Sequence, residues 1–247
     1  TGDSIIWAGT PGGLEKINLK TGTVRWFVFP QGDKDYQVNV NAFRRLCYHS
    51  DGKLYVGSWM AGVSVFDPEK QTLEPLPMKQ GADNAILKSP IAKIISRNGD
   101  QLWITALEGF AVYHTGRQEV IYAKNNHLLK REFFGIESID KAGRLWQGTL
   151  NGIQCFDPLM QQFTRYSYED LHNGRWGYTY HAIPESGGSI IICPLVTDGI
   201  YRFDVTKGSW KKYPFTGQPG LLTVRGFTRR HDGVFVIAAE EGLFYWN

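Results

Sequence analysis

The chain has 247 residues, of which 42% are hydrophobic, 14% are aromatic and 28 are glycine, and its formal net charge is +3. The hydrophobic content excludes intrinsic disorder, and lysine and arginine are too scattered to indicate a nucleic-acid partner. No run approaches the roughly 18 apolar residues of a membrane-spanning helix, so we expect no membrane contact by this region itself.

The most complete unit in the sequence is Gly143 to Ser167, which reads GRLWQGTLNGIQCFDPLMQQFTRYS. Leu145 to Thr149 has the composition of a short strand, and Asn151-Gly152 after it predicts a tight turn. Ile153 to Phe156 predicts a second strand, which Asp157-Pro158 ends. The unit is therefore predicted to be a β-hairpin.

Versions of this hairpin recur six times along the chain, at separations of 43 to 48 residues. The repeats are approximately 1-29, 42-78, 89-123, 133-167, 178-214 and 223-247. The place of Trp146 is taken in the other copies by Trp7, Tyr55, Trp103, Ile191 and Phe235. A period near 45 residues without sustained helical periodicity is typical of propeller blades. We therefore predict an all-β fold, a β-propeller of four-stranded antiparallel blades with about six blades present, as a single domain over 1–247 or a portion of one.

Each repeat is predicted to contain four strands, named A to D from the channel outwards. Strand A precedes the shared hairpin of strands B and C, and is expected at 42–49, 89–96, 133–140, 178–185 and 223–230. Strand D follows the hairpin and is rich in Lys, Arg, Gln and Pro, as exposed edge strands are. The first repeat has no strand A and the last has no strand D. We infer a piece of a longer propeller, the alternative being a six-bladed ring with two three-stranded blades.

Cysteine and histidine give little support to a catalytic or metal site. Cys47, Cys155 and Cys193 form no C-x-x-C pair and each lies in an apolar strand pattern, so we expect buried free thiols. The six histidines show no metal-ligand spacing, so neither a metal nor a cofactor is predicted. Histidines that converge on a metal from different blades are the alternative.

The hairpin motif resembles a known repeat. The pattern G-x-L-W-x-G-T-x-x-G-Φ-x-x-[FY]-[DN] is fullest at Gly143 to Asp157 and is echoed at Trp7 to Asn18 and Tyr55 to Asp67. It closely resembles the two-component regulator propeller repeat of the periplasmic sensor regions of bacterial hybrid histidine kinases, many of which detect oligosaccharides. The sequence departs from the pattern where Thr105 replaces the first glycine and where Ile191 to Pro194 replaces W-x-G-T.

The resemblance implies a ligand-sensing β-propeller of a two-component system, located in the periplasm or outside the cell, that signals to a histidine kinase. It implies a small-molecule ligand, which we expect to be an oligosaccharide, and no enzymatic activity in this region. A homodimer is compatible with such a sensor. A propeller enzyme of the lyase or hydrolase type and a protein-binding scaffold propeller are the alternatives.

In a propeller, ligands bind where the D-to-A connections and the B-to-C turns meet at the channel mouth. The connection NGRWGYTYH combines flat apolar side chains with hydrogen-bond donors, which suit stacking on a sugar and contacts to its hydroxyls. Its candidate ligand-binding residues are Arg175, Trp176, Tyr178, Tyr180 and His181. Packing of the channel rim by Trp176 and Tyr180 is the alternative.

Further candidates lie on other connections and strands. Trp59 occupies an extended B-to-C turn and is expected beside Tyr36 of the preceding connection, and Asn126 lies on a third connection. Arg44 and Arg225 lie near the starts of A strands, where they could hold a carboxylate or a sulfate.

Overall fold

The computed structural model describes residues 4–29, 42–58, 61–79, 85–125, 137–150, 152–168, 177–179, 181–185, 187–217 and 220–246. Regular structure in these ranges is almost entirely β, as predicted, and forms six antiparallel sheets. No helix in the described part of the chain is long and apolar enough to cross a membrane. The chain divides into two compact units, Thr1–Lys130 and Arg131–Asn247, with three sheets in each.

The first unit contains the first three sheets. The first sheet has the order β1-β2-β3, with strands β1 (Ile5–Thr10), β2 (Gly13–Asn18) and β3 (Val24–Phe27). The second has the order β4-β5-β6-β7, with β4 (Phe43–Tyr48), β5 (Leu54–Ser58), β6 (Val63–Asp67) and β7 (Thr72–Pro75). After the short helix α1 (Ala85–Lys88), the third consists of β8 (Ile91–Arg97), β9 (Gln101–Ala106), β10 (Gly109–His114) and β11 (Glu119–Asn125).

The second unit contains the other three sheets. The fourth consists of β12 (Glu137–Ile139), β13 (Leu145–Thr149), β14 (Gly152–Asp157) and β15 (Gln162–Ser167). The fifth has the order β16-β17-β19-β20, with β16 (His181–Pro184), β17 (Ser189–Cys193), β19 (Gly199–Asp204) and β20 (Ser209–Pro214). The sixth has the order β18-β21-β22-β23, with β18 (Val196–Thr197), β21 (Leu222–Arg229), β22 (Phe235–Ala239) and β23 (Gly242–Trp246).

The turns of the fourth sheet form as the sequence predicts. Strands β13 and β14 pair around the turn, with Trp146 opposite Cys155. Gly152 has a φ of 154°, and a Cβ there would overlap the carbonyl oxygen of Tyr166 on β15. The side chain of Asp157 accepts hydrogen bonds from two backbone amides of the next turn, at 2.9 and 3.2 Å. These residues therefore set the hairpin register.

Each unit buries its own apolar side chains between neighbouring sheets. In the second unit, one cluster between the fourth and fifth sheets contains Trp146, Tyr168, Tyr201 and Phe203. Side chains alternate along a strand, so β17 contributes Ile192 to this cluster while its neighbouring residues pack against the sixth sheet. The three cysteines are free and buried, as predicted.

The first and last sheets show how the incomplete repeats fold. Among the described residues the first sheet has three strands, which hold the positions predicted for strands B, C and D of the first repeat. The described residues of the sixth sheet include no strand after β23, and β18 pairs with β21 on the opposite side of this sheet. The sequence did not predict β18, which lies in the B-to-C turn of the fifth repeat, just after the residues that depart from the W-x-G-T pattern.

Two sequence assignments are corrected. The Gly143 amide donates to the Asp140 carbonyl, and the Gly233 amide donates to the Arg230 carbonyl in the same way. Three residues after each glycine stand Trp146 and Val236, so the assignment of Phe235 to the Trp146 position was wrong by one residue. A shift of one residue along a strand moves a side chain to the other face, and Phe235 instead corresponds to Leu145.

The predicted A strand at 178–185 is also shorter than expected. It begins at His181, so Tyr178 lies before the strand. The backbone there turns to other partners, since the Tyr178 carbonyl accepts from the Leu195 amide at 2.8 Å.

Candidate functional site

Two candidate arginines occupy the same unusual position of a strand. The pairing of β4 with β5 shifts between Phe43 and Arg45, and that of β21 with β22 shifts between Val224 and Gly226. Arg44 and Arg225 are therefore bulge residues, and both side chains are exposed. A bulge leaves its residue out of the regular ladder and redirects its side chain, which is typical of functional positions.

His181 contacts Arg225 directly. The imidazole donates a hydrogen bond to the backbone carbonyl of Arg225. Burial lowers the pKa of His181 below its ordinary value, and the contact with the carbonyl opposes that shift only in part. The structure thus brings together two residues that the sequence placed in different candidate groups, and it holds the imidazole neutral at neutral pH.

The same contact recurs in the first unit. Arg45 donates from Nε to the carbonyl of Ala92, which is the bulge residue of β8. His49 and Glu185 make the same backbone hydrogen bonds in the turn that follows strand A of their sheets. Arg45 and His181 stand the same number of residues before them, so these two residues occupy equivalent positions of strand A. A side chain of one A strand therefore reaches the bulge carbonyl of the next A strand in both units, which shows that the contact also has a structural role.

Backbone hydrogen bonds frame the site between the fifth and sixth sheets. The Leu195 carbonyl accepts from the Val224 amide at 2.6 Å, and the Thr223 carbonyl accepts from the Glu240 amide at 3.0 Å. Together with the bond between Leu195 and Tyr178, these contacts join the segment before β16 to the turn between β22 and β23. They hold the backbone around Arg225 on three sides.

Acidic residues of the last hairpin turn contact the bulge. Nε of Arg225 lies 3.0 Å from Oε1 of Glu240, and its Nη2 contacts the same oxygen. Both side chains are more than half exposed, at 61% and 54%. Exposed ion pairs contribute only about 0–1 kcal/mol, so Glu240 holds the Arg225 guanidinium only weakly. The two carboxylate oxygens of Glu241 accept from the Thr223 amide.

A buried tyrosine positions the segment before β16. Tyr168 is 1% exposed, and its hydroxyl donates to the Gly177 carbonyl at 2.6 Å. The hydroxyl also lies 3.2 Å from Oγ1 of Thr179. Burial raises the pKa of Tyr168, so it acts as a neutral hydrogen-bonding group. Tyr178, between these two partners, is half-buried.

The other predicted ligand-binding residues, Arg175, Trp176, Tyr180, Trp59, Tyr36 and Asn126, lie outside the described residues. Of the candidates that are described, His181 and Arg225 contact each other. The Tyr178 carbonyl accepts a hydrogen bond from Leu195, whose own carbonyl accepts from Val224 beside Arg225. Arg44 belongs to the first unit. Glu240 and Glu241 were not predicted from the sequence as site residues. Their position directly before the turn glycine Gly242, at the end of a strand opposite Arg225, was the available signal.

The described residues offer little for covalent or metal chemistry. No group of three or more His, Cys, Asp or Glu side chains among them could hold a metal ion. Cys193 pairs with His181 across β16 and β17, but it is fully buried. Burial raises the pKa of its thiol, so it is not a nucleophile. What the exposed part of the site offers is the guanidinium of Arg225 in a solvent-exposed ion pair with Glu240.

Comparison with known proteins gives matches of fold. No protein-family model matches the sequence, and no curated protein matches it. The extracellular domain of the putative one-component system BT4673 from B. thetaiotaomicron is similar to the chain with a TM-score of 0.69 at 16% identity, covering 100% of this chain and 34% of that one. A second structure, described as the extracellular domain of the putative hybrid two-component system BT4673, gives 0.68 with the same identity and coverage.

A third match is the extracellular domain of the putative hybrid two-component system BT3049 from B. thetaiotaomicron, with a TM-score of 0.57 at 15% identity over 100% of this chain and 38% of that one. The chain thus spans about a third of the length of the solved structures it resembles. At these identities the likeness establishes a shared fold. The neighbours confirm the resemblance inferred from the repeat motif.

Proposed function

We propose that this chain is part of a sensor domain of a two-component system, located in the periplasm or outside the cell, that signals to a histidine kinase. The observation that carries the proposal is the fold likeness over the whole chain to extracellular domains of putative hybrid two-component systems. The repeat motif at Gly143 to Asp157 supports it independently. We assign no enzymatic activity to this region.

We also propose that the sheets are blades of a β-propeller. The support is their regular succession: five four-stranded sheets and one three-stranded sheet follow one another at a period of 43 to 48 residues. The contact from one A strand to the bulge carbonyl of the next, found in each unit, is what a repeated sheet-to-sheet packing would produce.

The proposed ligand is an oligosaccharide that carries a carboxylate or sulfate. Arg225 would bind the anionic group in exchange for Glu240, because an exposed ion pair is weak and a planar guanidinium suits an oxyanion. The Arg225 carbonyl is held by His181, and the Thr223 amide, two residues earlier on the same strand, is held by Glu241. Trp176 and Tyr180 remain predictions as stacking platforms for a sugar ring.

A ligand changes an equilibrium only by binding one arrangement more tightly than the other. Here the contact that differs between the two arrangements would be the one made by the Arg225 guanidinium. The Arg225 carbonyl accepts a hydrogen bond from His181 of β16, and the amide of the preceding residue, Val224, donates to the Leu195 carbonyl. Pulling the guanidinium away from Glu240 would therefore act on the packing of the fifth sheet against the sixth.

A thermal-shift screen over neutral and acidic oligosaccharides tests the proposal. The variants are Arg225→Gln and Trp176→Ala, with Arg165→Gln as the control because Arg165 is an exposed arginine on the outer strand β15. We expect acidic oligosaccharides to raise the melting temperature of the wild type and of Arg165→Gln but not of Arg225→Gln. Equal shifts in all four proteins, or no shift with any oligosaccharide, would refute the proposed site.

A further inference from the structure

A cavity of about 560 Å³ lies between the fourth and fifth sheets. Its volume falls within the range of about 300–1,000 Å³ that is usual for small-molecule sites. It is lined by β13, by β16 and by the turns that join strand A to strand B in both sheets. The residues of the proposed oligosaccharide site, His181 and Arg225, do not line it.

The walls of the cavity are mainly apolar. Ile139, Ile153, Ala182, Ile190 and Val205 contribute aliphatic surface. Sugar hydroxyls placed against such a wall would lose hydrogen bonds to water without replacing them, which is costly. The walls therefore suit an alkyl or aryl body and disfavour an oligosaccharide.

The mouth of the cavity carries charged residues from the first of these turns. Asp140, Lys141 and Arg144 all line it. Nη2 and Nε of Arg144 each lie 2.8 Å from Oδ2 of Asp140, so this carboxylate is already neutralised. Lys141 is exposed and has no carboxylate partner among the described residues.

The second turn adds a carboxylate that is also paired. Glu185 lines the cavity and is 17% exposed. Its Oε2 lies 2.9 Å from Nε of Arg202, and its Oε1 lies 3.7 Å from Nη1 of Arg229. The lining therefore carries two cations and two carboxylates, and both carboxylates are already paired, which leaves Lys141 as the charge without a carboxylate partner among the described residues.

We propose that this cavity binds a small amphipathic monoanion, with its apolar body between the two sheets and its carboxylate at Lys141. The apolar walls select the body, and the ammonium group of Lys141, whose neighbouring carboxylates are already paired, selects the charge. The site is distinct from the proposed oligosaccharide site, and its test does not depend on that proposal.

Strand β16 gives such a ligand a route to the other site. Ala182 and Pro184 of this strand line the cavity. Ile183, between them, points to the opposite face and packs against the sixth sheet. His181 of the same strand donates its hydrogen bond to the sixth sheet. Successive residues of a strand point to opposite faces, so one short strand separates the two sites. Occupation of the cavity would press on the strand that carries His181.

Titration calorimetry with octanoate, 4-phenylbutanoate and the neutral octanamide tests the proposal on this chain. The first two probes separate an alkyl from an aryl body, and octanamide keeps the alkyl body without the charge. Ala182→Phe fills the cavity from its wall, and Ala142→Trp blocks it from the exposed rim, where folding tolerates a larger side chain. Lys141→Glu reverses the rim charge, and Lys20→Glu, an exposed lysine of the first unit, is the matched control.

We expect at least one of the two carboxylates to bind saturably, and Lys141→Glu to weaken it about fivefold while Lys20→Glu leaves it unchanged. Ala142→Trp and, where it folds, Ala182→Phe should abolish binding. Absence of binding by both carboxylates, binding that survives Ala142→Trp, or equal affinity for octanoate and octanamide would each overturn the proposal.

Discussion

His181 and Arg225 are joined by a hydrogen bond from the imidazole to the backbone carbonyl, across the boundary between the fifth and sixth sheets. Arg45 and Ala92 make the same contact between the second and third sheets. In each unit, one pair of neighbouring sheets is therefore linked by a side chain that reaches the bulge of the next A strand. In the second unit that side chain is a histidine, which makes the link sensitive to pH.

The pH dependence of stability has a definite sign. Burial, the main influence, lowers the pKa of His181 below the ordinary 6.5, and the Arg225 carbonyl only partly restores it. Below pH 6.5 the unfolded chain therefore binds the proton more readily than the folded chain, and stability falls as pH decreases through the folded pKa. His181→Gln should reduce this slope in denaturant titrations across the acidic range. His231→Gln, which removes an exposed imidazole, should keep the wild-type slope.

Trp146 and Asp140 form a second link, within the fourth sheet. The indole Nε1 donates to Oδ2 of Asp140 at 2.9 Å, and Trp146 is 6% exposed. Asp140→Ala leaves this buried donor without an acceptor, which costs about 2 kcal/mol of unfolding free energy at neutral pH. Asp232→Ala, in the exposed turn of the sixth sheet, should cost less than about 0.5 kcal/mol. Equal losses would show that the indole contact contributes nothing.

Acid should reduce the effect of Asp140→Ala. Burial favours the neutral carboxyl, but hydrogen bonds from Trp146 and Arg144 outweigh it and lower the pKa of Asp140 below 3.8. The stabilisation is therefore present above pH 3.8 and is lost as pH falls through the folded pKa. Denaturation curves of the wild type and Asp140→Ala should converge in that range, and a constant difference between them would contradict the assignment.

Trp7 provides an internal comparison. Its Nε1 is buried and has no hydrogen-bond partner among the described residues. The described part of the first sheet has only three strands and contains no counterpart of the strand that precedes Asp140 in the fourth sheet. Trp7→Phe removes an unsatisfied donor, whereas Trp146→Phe removes a satisfied one and leaves Asp140 with fewer donors. We expect Trp146→Phe to cost about 1–2 kcal/mol more than Trp7→Phe in equilibrium unfolding. Similar losses would mean that the indole N–H of Trp7 is satisfied in solution.

Gly152 is expected to be essential for the turn between β13 and β14. Its positive φ and the close approach of the Tyr166 carbonyl leave no room for a Cβ. Gly152→Ala should lower stability by about 2 kcal/mol or more. The control is Gly187→Ala, where a Cβ meets nothing within 4 Å. That substitution should be neutral or slightly stabilising by calorimetry, because alanine restricts the unfolded chain.

Local turn chemistry explains why much of the fold was predictable. Gly152 and Asp157 act within a few residues of themselves, through a backbone conformation and short hydrogen bonds, so the sequence pattern carries their role directly. The position of Val236 was misread because its side chain is aliphatic where an aromatic residue was expected. The Gly233 turn, which the pattern also contains, gives the correct register.

The candidate site was less predictable because its contacts join different repeats. The Leu195 carbonyl, directly before the unpredicted strand β18, accepts a hydrogen bond from the Val224 amide, and Glu240 contacts Arg225 across a hairpin. Such contacts depend on how sheets pack, which no local pattern specifies. The cavity beside Lys141 was missed for the same reason, since its lining comes from two sheets.

Arg225 is proposed to give this chain a preference for anionic oligosaccharides. Titration calorimetry of the purified chain with an acidic oligosaccharide, and with its neutral counterpart of the same length, measures that preference. We expect saturable binding of the acidic compound, weaker binding of the neutral one, and loss of the preference in Arg225→Gln. Equal affinity for both compounds, unchanged by Arg225→Gln, would rule out this role of Arg225.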